Sequence, residues 1–171
     1  MKHQIILLGK DITSVYHGIK EFGPDHVHLL CTNETKEVAA PLFPLLPDSI
    51  RRTLYRTEPY DGEHVRNVCR KIHQTYPSAE FAYNLSEGTK VMAFAAFTIA
   101  KEYSVPAFYL SQLGELIRLD SFEKYPMKSQ LDNKEILGLS GNILTEYQDA
   151  KHLSNTDVQA SGLIKQFIEQ Y

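Results

Sequence analysis

The fold is decided by residues 80–103, which read EFAYNLSEGTKVMAFAAFTIAKEY. Residues 80–85 form a short, mainly apolar run that predicts a buried strand, and residues 88–103 carry the apolar pattern of a long helix. A polar turn containing a single glycine, Gly88, joins them. A strand that passes through such a turn directly into a helix is typical of a βαβ unit and therefore of a parallel sheet.

The same alternation continues on both sides of this unit. Strands are predicted at residues 5–8, 26–31, 53–58 and 107–110, helices at 14–22 and 62–76, and an antiparallel edge hairpin at 116–122. Residues 5–8 are all apolar, as expected for a strand that is covered on both faces. The sequence thus predicts an α/β fold: a Rossmann-like, mainly parallel sheet with helices on both faces, an antiparallel edge hairpin and a C-terminal helical tail.

The chain is predicted to consist of one domain and a tail. Residues 1–125 form the Rossmann-like domain, and residues 126–171 form a linker and a C-terminal helix that begins after the cap at residues 154–157. The C-terminal helix could pack on the domain, pack on a second copy, or join to a further part of the protein. Within the first part, residues 40–47 contain three prolines, which predicts a loop or a broken helix. Residues 134–142 have the pattern of a short helix or strand.

Composition limits the partners and the location of the protein. The 171 residues carry a formal net charge of -3, and the isoelectric point is near 6.2, which argues against DNA or another nucleic-acid polymer as the main partner. Cys31 and Cys69 form no CxxC pair and suit reduced thiols in the cytoplasm. The first residues lack the apolar length of a signal peptide, and no window approaches a membrane span. We therefore expect a cytoplasmic domain with no membrane partner.

Two loops are the candidate ligand site. In an open parallel sheet, ligands bind beyond the carboxyl ends of the strands, where the strand order reverses. The first turn of a helix there offers unpaired N–H groups to a phosphate, and Lys90 would add a cation. The alternative is a helix cap that binds nothing. The candidate ligand-binding residues lie in the loops 9–14 and 84–90 and are Gly9, Lys10, Asp11, Thr13, Ser14, Asn84, Ser86, Gly88, Thr89 and Lys90.

Other sites are not indicated by the sequence. The order Gly88-Thr89-Lys90 is not that of a Walker A motif, and a GxGxxG dinucleotide fingerprint is absent. No metal site is predicted, because His26 and His28 lie two residues apart on a strand without a third ligand at a recognisable spacing. No cofactor is predicted, and neither HExxH nor GxSxG occurs.

The helix over residues 88–103 is apolar nearly all the way round. It is either buried inside one subunit or packed in part against the same helix of a second copy across a two-fold axis. We favour the second arrangement, in which two copies of the loop 84–90 line one shared pocket.

The motif Asn84-Leu85-Ser86-Glu87-Gly88-Thr89-Lys90-Val91-Met92-Ala93 resembles the N-L-[ST]-x-G-T-K-x-M signature of CARF domains, the CRISPR-associated Rossmann-fold sensors. It is most similar to the branch that is fused to nuclease or other effector domains. The loop 9–14 falls where this family has its other ligand loop. The resemblance covers about residues 1–125.

The resemblance implies a homodimer whose joint pocket binds a cyclic oligoadenylate, tetra- or hexa-adenylate, the second messenger of type III CRISPR antiviral defence. Gly88, Thr89 and Lys90 would hold the phosphates and riboses, while Asn84 and Ser86 would shape the loop. The contacts from the other side would come from Gly9, Lys10, Asp11, Thr13 and Ser14. Glu87 departs from the small or neutral residue that is frequent at its position, and a carboxylate there is unfavourable beside phosphates unless it turns away or bonds a ribose hydroxyl.

Two alternatives stay open. Some members of the family are metal-independent ring nucleases, in which the ribose 2′-hydroxyl attacks the adjacent phosphate; Lys90 would then be the catalytic candidate. No histidine lies in either loop to act as a general base, which favours slow cleavage or none. The other alternative is an unrelated nucleotide-binding regulatory Rossmann domain.

Overall fold

The computed structural model describes residues 1–140. Seven strands form one sheet in the order β3-β2-β1-β4-β5-β6-β7. The first five strands along the chain pair in parallel, and the last two pair antiparallel at one edge. The predicted mainly parallel sheet and its antiparallel edge are therefore confirmed. The strands are β1 Lys2–Leu7, β2 His26–Cys31, β3 Arg51–Arg56, β4 Glu80–Asn84, β5 Ala107–Leu110, β6 Glu115–Arg118 and β7 Lys124–Pro126.

Helices cover both faces of the sheet, as predicted. The helices are α1 Ile12–Phe22, α2 Gly62–Thr75, α3 Lys90–Glu102 and α4 Asn133–Leu139. One apolar core lies between the sheet and α2 with α3, and a second lies between the sheet and α1 with α4. Side chains cap the amino ends of these helices, with Asp11, Asp61, Thr89 and Asp132 each accepting a backbone N–H from the first turn. Among residues 1–140, no helix has both the length and the hydrophobicity required to cross a bilayer.

The sheet has its topological switch between β1 and β4. The chain passes from β1 through α1 to β2 on one side, and β4 pairs with the opposite edge of β1 before the chain continues through α3 to β5. Since α1 and α3 lie on opposite faces, a crevice opens where β1 and β4 end. Ligands of doubly wound folds bind in this place.

The structure decides the conformation of two segments whose secondary structure the sequence left open. The proline-rich stretch 40–47 contains only a short 3-10 helix, Phe43–Leu45, because proline cannot continue a regular α-helix. Another 3-10 helix, Lys36–Ala39, precedes it. The segment after residue 126 forms α4 rather than a strand and is fastened to α1, where Lys20 pairs with Glu135 at 2.8 Å. The predicted C-terminal helix after residue 154 lies outside the described residues.

Candidate ligand-binding site

The two predicted loops meet at the switch point. We call residues 9–14 the first loop and residues 84–90 the second loop. They follow neighbouring strands, since Ile6 of β1 is in register with Asn84 of β4. Asn84 Nδ2 donates to the carbonyl oxygen of Ser14 at 3.3 Å. The fold therefore brings the predicted residues of both loops to one crevice.

Asn84 and Ser86 hold the second loop in place. Asn84 is only 2% exposed, and its Oδ1 accepts hydrogen bonds from the backbone N–H of Ser86 at 3.1 Å and from the Ser86 hydroxyl at 2.6 Å. The Ser86 oxygen in turn accepts from the backbone N–H of Leu110 on β5 at 2.9 Å. These side chains tie the second loop to β5 and to the first loop, so their function within the chain is to fix its shape.

The turn into α3 requires a glycine and a capping hydroxyl. Gly88 has φ +84°, and a Cβ on it would lie 3.1 Å from the Cβ of Leu7, so an L side chain is disfavoured twice. The Thr89 oxygen accepts from the N–H of Met92 at 3.1 Å and its hydroxyl donates to the carbonyl of Pro59. The Thr89 hydrogen is thus engaged within the chain, and its backbone N–H is what remains for a ligand.

Free hydrogen-bond donors and cations surround this turn. Within residues 1–140, the backbone N–H groups of Gly88, Thr89 and Lys90 donate to no other group of the chain. Lys90 is the first residue of α3, and it and Lys10 of the first loop are exposed. Neither lysine forms an ion pair with another described residue. Unpaired amides at the positive end of a helix dipole, with a mobile cation beside them, suit a phosphate.

Glu87 is the unexpected element of the site. Its carboxylate leaves the second loop and reaches the first, where Oε2 accepts from the backbone N–H of Asp11 at 3.2 Å. Burial is the largest influence on this carboxyl and raises its pKa above the ordinary value, while the bond from the Asp11 amide opposes the shift. Glu87, the residue at which this chain departs from the motif, therefore covers backbone amides at the start of α1.

A cavity of about 360 Å³ adjoins the second loop on the α3 side of the sheet. Residues 85–90 form one wall, and most of the remaining lining is aromatic. Phe94 is 73% exposed and Phe122 is 74% exposed, which is unusual for side chains of this size. Phe122 also has a left-handed backbone with φ +60°, a conformation that bulky residues seldom adopt. An apolar, aromatic cavity beside a row of unpaired amides can take a planar base and its phosphate together.

Three tyrosines whose rings could stack on a base differ in their exposure. Tyr16 and Tyr83 could each have stacked on a base, but they are 5% and 0% exposed. Tyr16 donates to Glu135 at 2.7 Å, and the Tyr83 hydroxyl lies 3.0 Å from a ring nitrogen of His73. Tyr109, which lines the cavity, remains 40% exposed.

One cluster was missed by sequence reasoning. His26 and His28 were expected to be an ordinary strand pair, but His3 lies beside them and supplies a third imidazole. His3 of β1 is in register with His26 of β2. Aligning the two strands in parallel would have revealed the pair, whereas spacing along the chain conceals it.

Comparisons with known proteins identify the fold. No family model matches the chain, and no curated protein sequence matches it. Can2 from Sulfobacillus thermosulfidooxidans in complex with cyclic tetra-adenylate has a TM-score of 0.73 and 22% identity, covering 82% of this chain and 41% of that chain. A type III CRISPR defence DNA nuclease activated by cyclic oligoadenylate has a TM-score of 0.64 and 20% identity, covering 80% and 23%. Enterococcus italicus Csm6 bound to cyclic hexa-2′-fluoro-hexa-dAMP has a TM-score of 0.59 and 13% identity, covering 82% and 38%.

This chain spans less than half the length of each of these structures. At these identities the likeness establishes the fold alone. The part of the chain that the structure describes therefore shares the Rossmann-like fold of the matching regions of these three structures.

Proposed function

We propose that this chain is a sensor domain of type III CRISPR antiviral signalling, which binds a cyclic oligoadenylate in a pocket shared by two copies. The observation that carries the proposal is the meeting of the two loops at the β1–β4 switch point, where Asn84 bonds the carbonyl of Ser14. The structural neighbours include proteins that are bound to, or activated by, cyclic oligoadenylates.

Each loop has a separate role in the proposed complex. The unpaired amides of Gly88, Thr89 and Lys90, with the Lys90 ammonium, hold phosphates and riboses. Asn84 and Ser86 hold the loop in shape. The first loop contacts the adenylate from the other side through Gly9, Lys10, Asp11, Thr13 and Ser14. Bases occupy the aromatic cavity, where Tyr109 and Phe122 offer exposed ring faces.

The proposed dimer places α3 at the two-fold axis. One face of α3 is buried inside the subunit, including Met92, Ala96 and Ile99, but Phe94 stays 73% exposed and Val91 39% exposed. An exposed apolar strip next to a ligand cavity is typical of an interface. A ring of identical nucleotides presents the same unit to each protomer, so its symmetry matches that of a two-fold dimer.

The output of binding is proposed to lie beyond this domain. The structural neighbours are more than twice as long as the region that matches, and they include a DNA nuclease activated by cyclic oligoadenylate. We propose that ligand binding regulates an effector domain to which the segment 126–171 leads.

Calorimetry with cyclic tetra-adenylate, cyclic hexa-adenylate and linear tetra-adenylate tests the proposal. We expect one ring to bind per two chains, and Lys90→Ala to weaken binding at least tenfold, which is about 1.4 kcal/mol. Lys101→Ala is the matched control, because Lys101 is an exposed lysine in the last turn of the same helix. Failure of both rings to bind, or equal losses in the two variants, would refute the proposal.

Cleavage in the same pocket is the second candidate function. Glu87 lines the cavity, and its raised pKa is a property of many general acids and bases. Incubating each ring with the protein in EDTA separates the candidates. Linear products that vanish in both Lys90→Ala and Glu87→Gln would establish a metal-independent ring nuclease, whereas intact rings that stay bound would leave the sensor alone.

A further inference from the structure

Three buried histidines meet at the end of the sheet opposite the ligand loops. His3 lies near the amino end of β1, and His26 and His28 lie on β2. They are 0%, 4% and 0% exposed. One ring nitrogen from each lies within 4.8 Å of those of the other two. Imidazoles are seldom gathered this closely in a core without a common partner, since histidine is only moderately frequent in protein interiors.

The hydrogen bonds of the cluster do not account for all of its nitrogens. His3 Nδ1 lies 3.0 Å from His28 Nε2, and His28 Nδ1 lies 3.1 Å from the Tyr55 hydroxyl. His26 Nε2 lies 2.9 Å from the Thr53 hydroxyl. Two buried nitrogens, His3 Nε2 and His26 Nδ1, have no hydrogen-bond partner among the described residues.

Changing the histidine tautomers does not supply the missing hydrogen-bond partners. A neutral imidazole carries one N–H donor and one acceptor nitrogen. Whichever ring donates across the His3–His28 contact, the second nitrogen of His3 remains unsatisfied, and so does Nδ1 of His26. Buried polar atoms in native proteins nearly always have a partner, and an ion held between the three rings would supply one for Nδ1 of His26.

We propose that His3, His26 and His28 bind a transition-metal ion such as Zn²⁺, which links β1 to β2. Zinc–nitrogen bonds of about 2.0–2.1 Å at tetrahedral angles place ligand nitrogens about 3.3 Å apart. The 3.0 Å between His3 Nδ1 and His28 Nε2 is close to that value, and in the proposed site these two nitrogens and Nδ1 of His26 are the three ligands. Three neutral nitrogen ligands suit zinc and related metals and not Mg²⁺ or Ca²⁺, which take oxygen ligands.

The surroundings of the cluster match those of histidine ligands. A metal-bound histidine usually donates its other N–H to an oxygen, which orients the ring. The hydroxyls of Tyr55 and Thr53 stand in this position for His28 and His26. The ring of Tyr76 closes the cluster, with its centroid 4.6 Å from that of His3. A fourth position is left for water or another small ligand, as in other three-histidine sites.

Metal binding is tested on the full chain without any affinity tag, because a histidine tag would bind the same ions. Apo protein prepared with EDTA is titrated with Zn²⁺ and with Co²⁺, whose visible bands report tetrahedral nitrogen coordination. We expect one ion per chain and a higher melting temperature with zinc, because an ion that binds only the folded chain stabilises it.

Metal binding by three variants tests whether the ion lies in the histidine cluster. His26→Asn removes a ligand and should abolish the Co²⁺ bands. Tyr55→Phe keeps the ring and loses only the hydroxyl beside His28, so it should fold and bind metal 10- to 100-fold more weakly. His64→Asn, on the half-buried first turn of α2, is the control and should bind like the parent.

Two outcomes would overturn the metal-site proposal. A folded parent protein that retains no zinc after gel filtration would overturn the proposal, and so would equal binding in the parent and in Tyr55→Phe. If His26→Asn fails to fold, the stoichiometry of the parent and the affinity of Tyr55→Phe still decide. None of these outcomes depends on cyclic oligoadenylate binding at the other end of the sheet.

Discussion

The carboxylate of Glu87 accepts a hydrogen bond from the backbone amide of Asp11 at 3.2 Å, which joins the two loops of the candidate site. Gly9 has to be a glycine for this arrangement, because a Cβ on it would lie 2.0 Å from Glu87 Oε2. The Ser14 hydroxyl lies 3.5 Å from the other carboxylate oxygen. A protein anion thus covers the first loop, and a phosphate that approaches the same amides has to displace it.

Neutralising Glu87 is therefore expected to tighten binding of cyclic oligoadenylate. Glu87→Gln keeps an oxygen that can accept from the Asp11 amide and removes the negative charge, so repulsion of the phosphates falls. We expect an affinity about tenfold higher, equivalent to about 1.4 kcal/mol, measured by calorimetry. Glu80→Gln, an exposed carboxylate at the start of β4, should change nothing. Unchanged binding in Glu87→Gln would show that the carboxylate does not repel the phosphates, and weaker binding would show that it assists the ligand; either result would contradict the prediction.

Burial of the Glu87 carboxyl should also make the stability of the folded chain depend on pH. Burial raises the pKa of Glu87 above its ordinary value of 4.5, so ionisation is costlier in the folded chain than in the unfolded chain. Its contribution to stability is full below pH 4.5 and is lost as the pH rises through the folded pKa. The advantage of Glu87→Gln over the parent in urea unfolding should therefore be larger at pH 7 than at pH 4. If the difference in stability between Glu87→Gln and the parent were the same at both pH values, the pKa of Glu87 would not be raised in the folded chain.

The capping role of Thr89 gives a prediction about stability. Thr89→Ala removes the acceptor for the Met92 amide, and loss of a cap of this kind costs about 1 kcal/mol of unfolding free energy. Thr89→Ser retains the hydroxyl and should lose only a fraction of that. Urea denaturation measures both. Equal losses in the two variants would mean that the methyl group, and not the cap, is what matters.

Exposure of Phe94 makes the proposed dimer testable. Phe94→Asp places a charge on the strip of α3 that is meant to lie at the two-fold axis, where burial without a partner is unfavourable. Light scattering should show the parent as a dimer and the variant as a monomer. Leu54→Asp, on the edge strand β3 with the leucine 41% exposed, is the control and should remain dimeric. A dimeric Phe94→Asp protein would remove α3 from the interface.

Most of the fold could be predicted because apolar runs mark strands that are covered on both faces. Two strands were predicted with wrong bounds. The strand β3 was expected at residues 53–58 and spans Arg51–Arg56, and β1 was expected at residues 5–8 and spans Lys2–Leu7. His3 and Gln4 are buried polar residues, and Gln4 donates to the carbonyl of Gly18 at 3.0 Å. Buried polar side chains whose hydrogen bonds go to residues distant in sequence hide a strand from any local pattern.

The candidate site was predictable to the level of its loops. The turn chemistry around Gly88 placed the second loop correctly at the end of a strand. The contacts of individual side chains could not be predicted, because the contacting residues lie in segments far apart in sequence. Thr89 donates to the carbonyl of Pro59, and Glu87 reaches Asp11 across the switch point. Both contacts exist only once β1, β4 and the loop before α2 are assembled.

Hydrogen–deuterium exchange with and without cyclic tetra-adenylate or cyclic hexa-adenylate tests the central claim most directly. The amides of Gly88, Thr89 and Lys90 donate to no group within residues 1–140, so they should exchange rapidly in the free protein. Bound phosphates should slow exchange in residues 84–92, and in residues 9–14 as the second wall of the pocket. A ring that binds tightly by calorimetry yet leaves both segments unprotected would contradict the account.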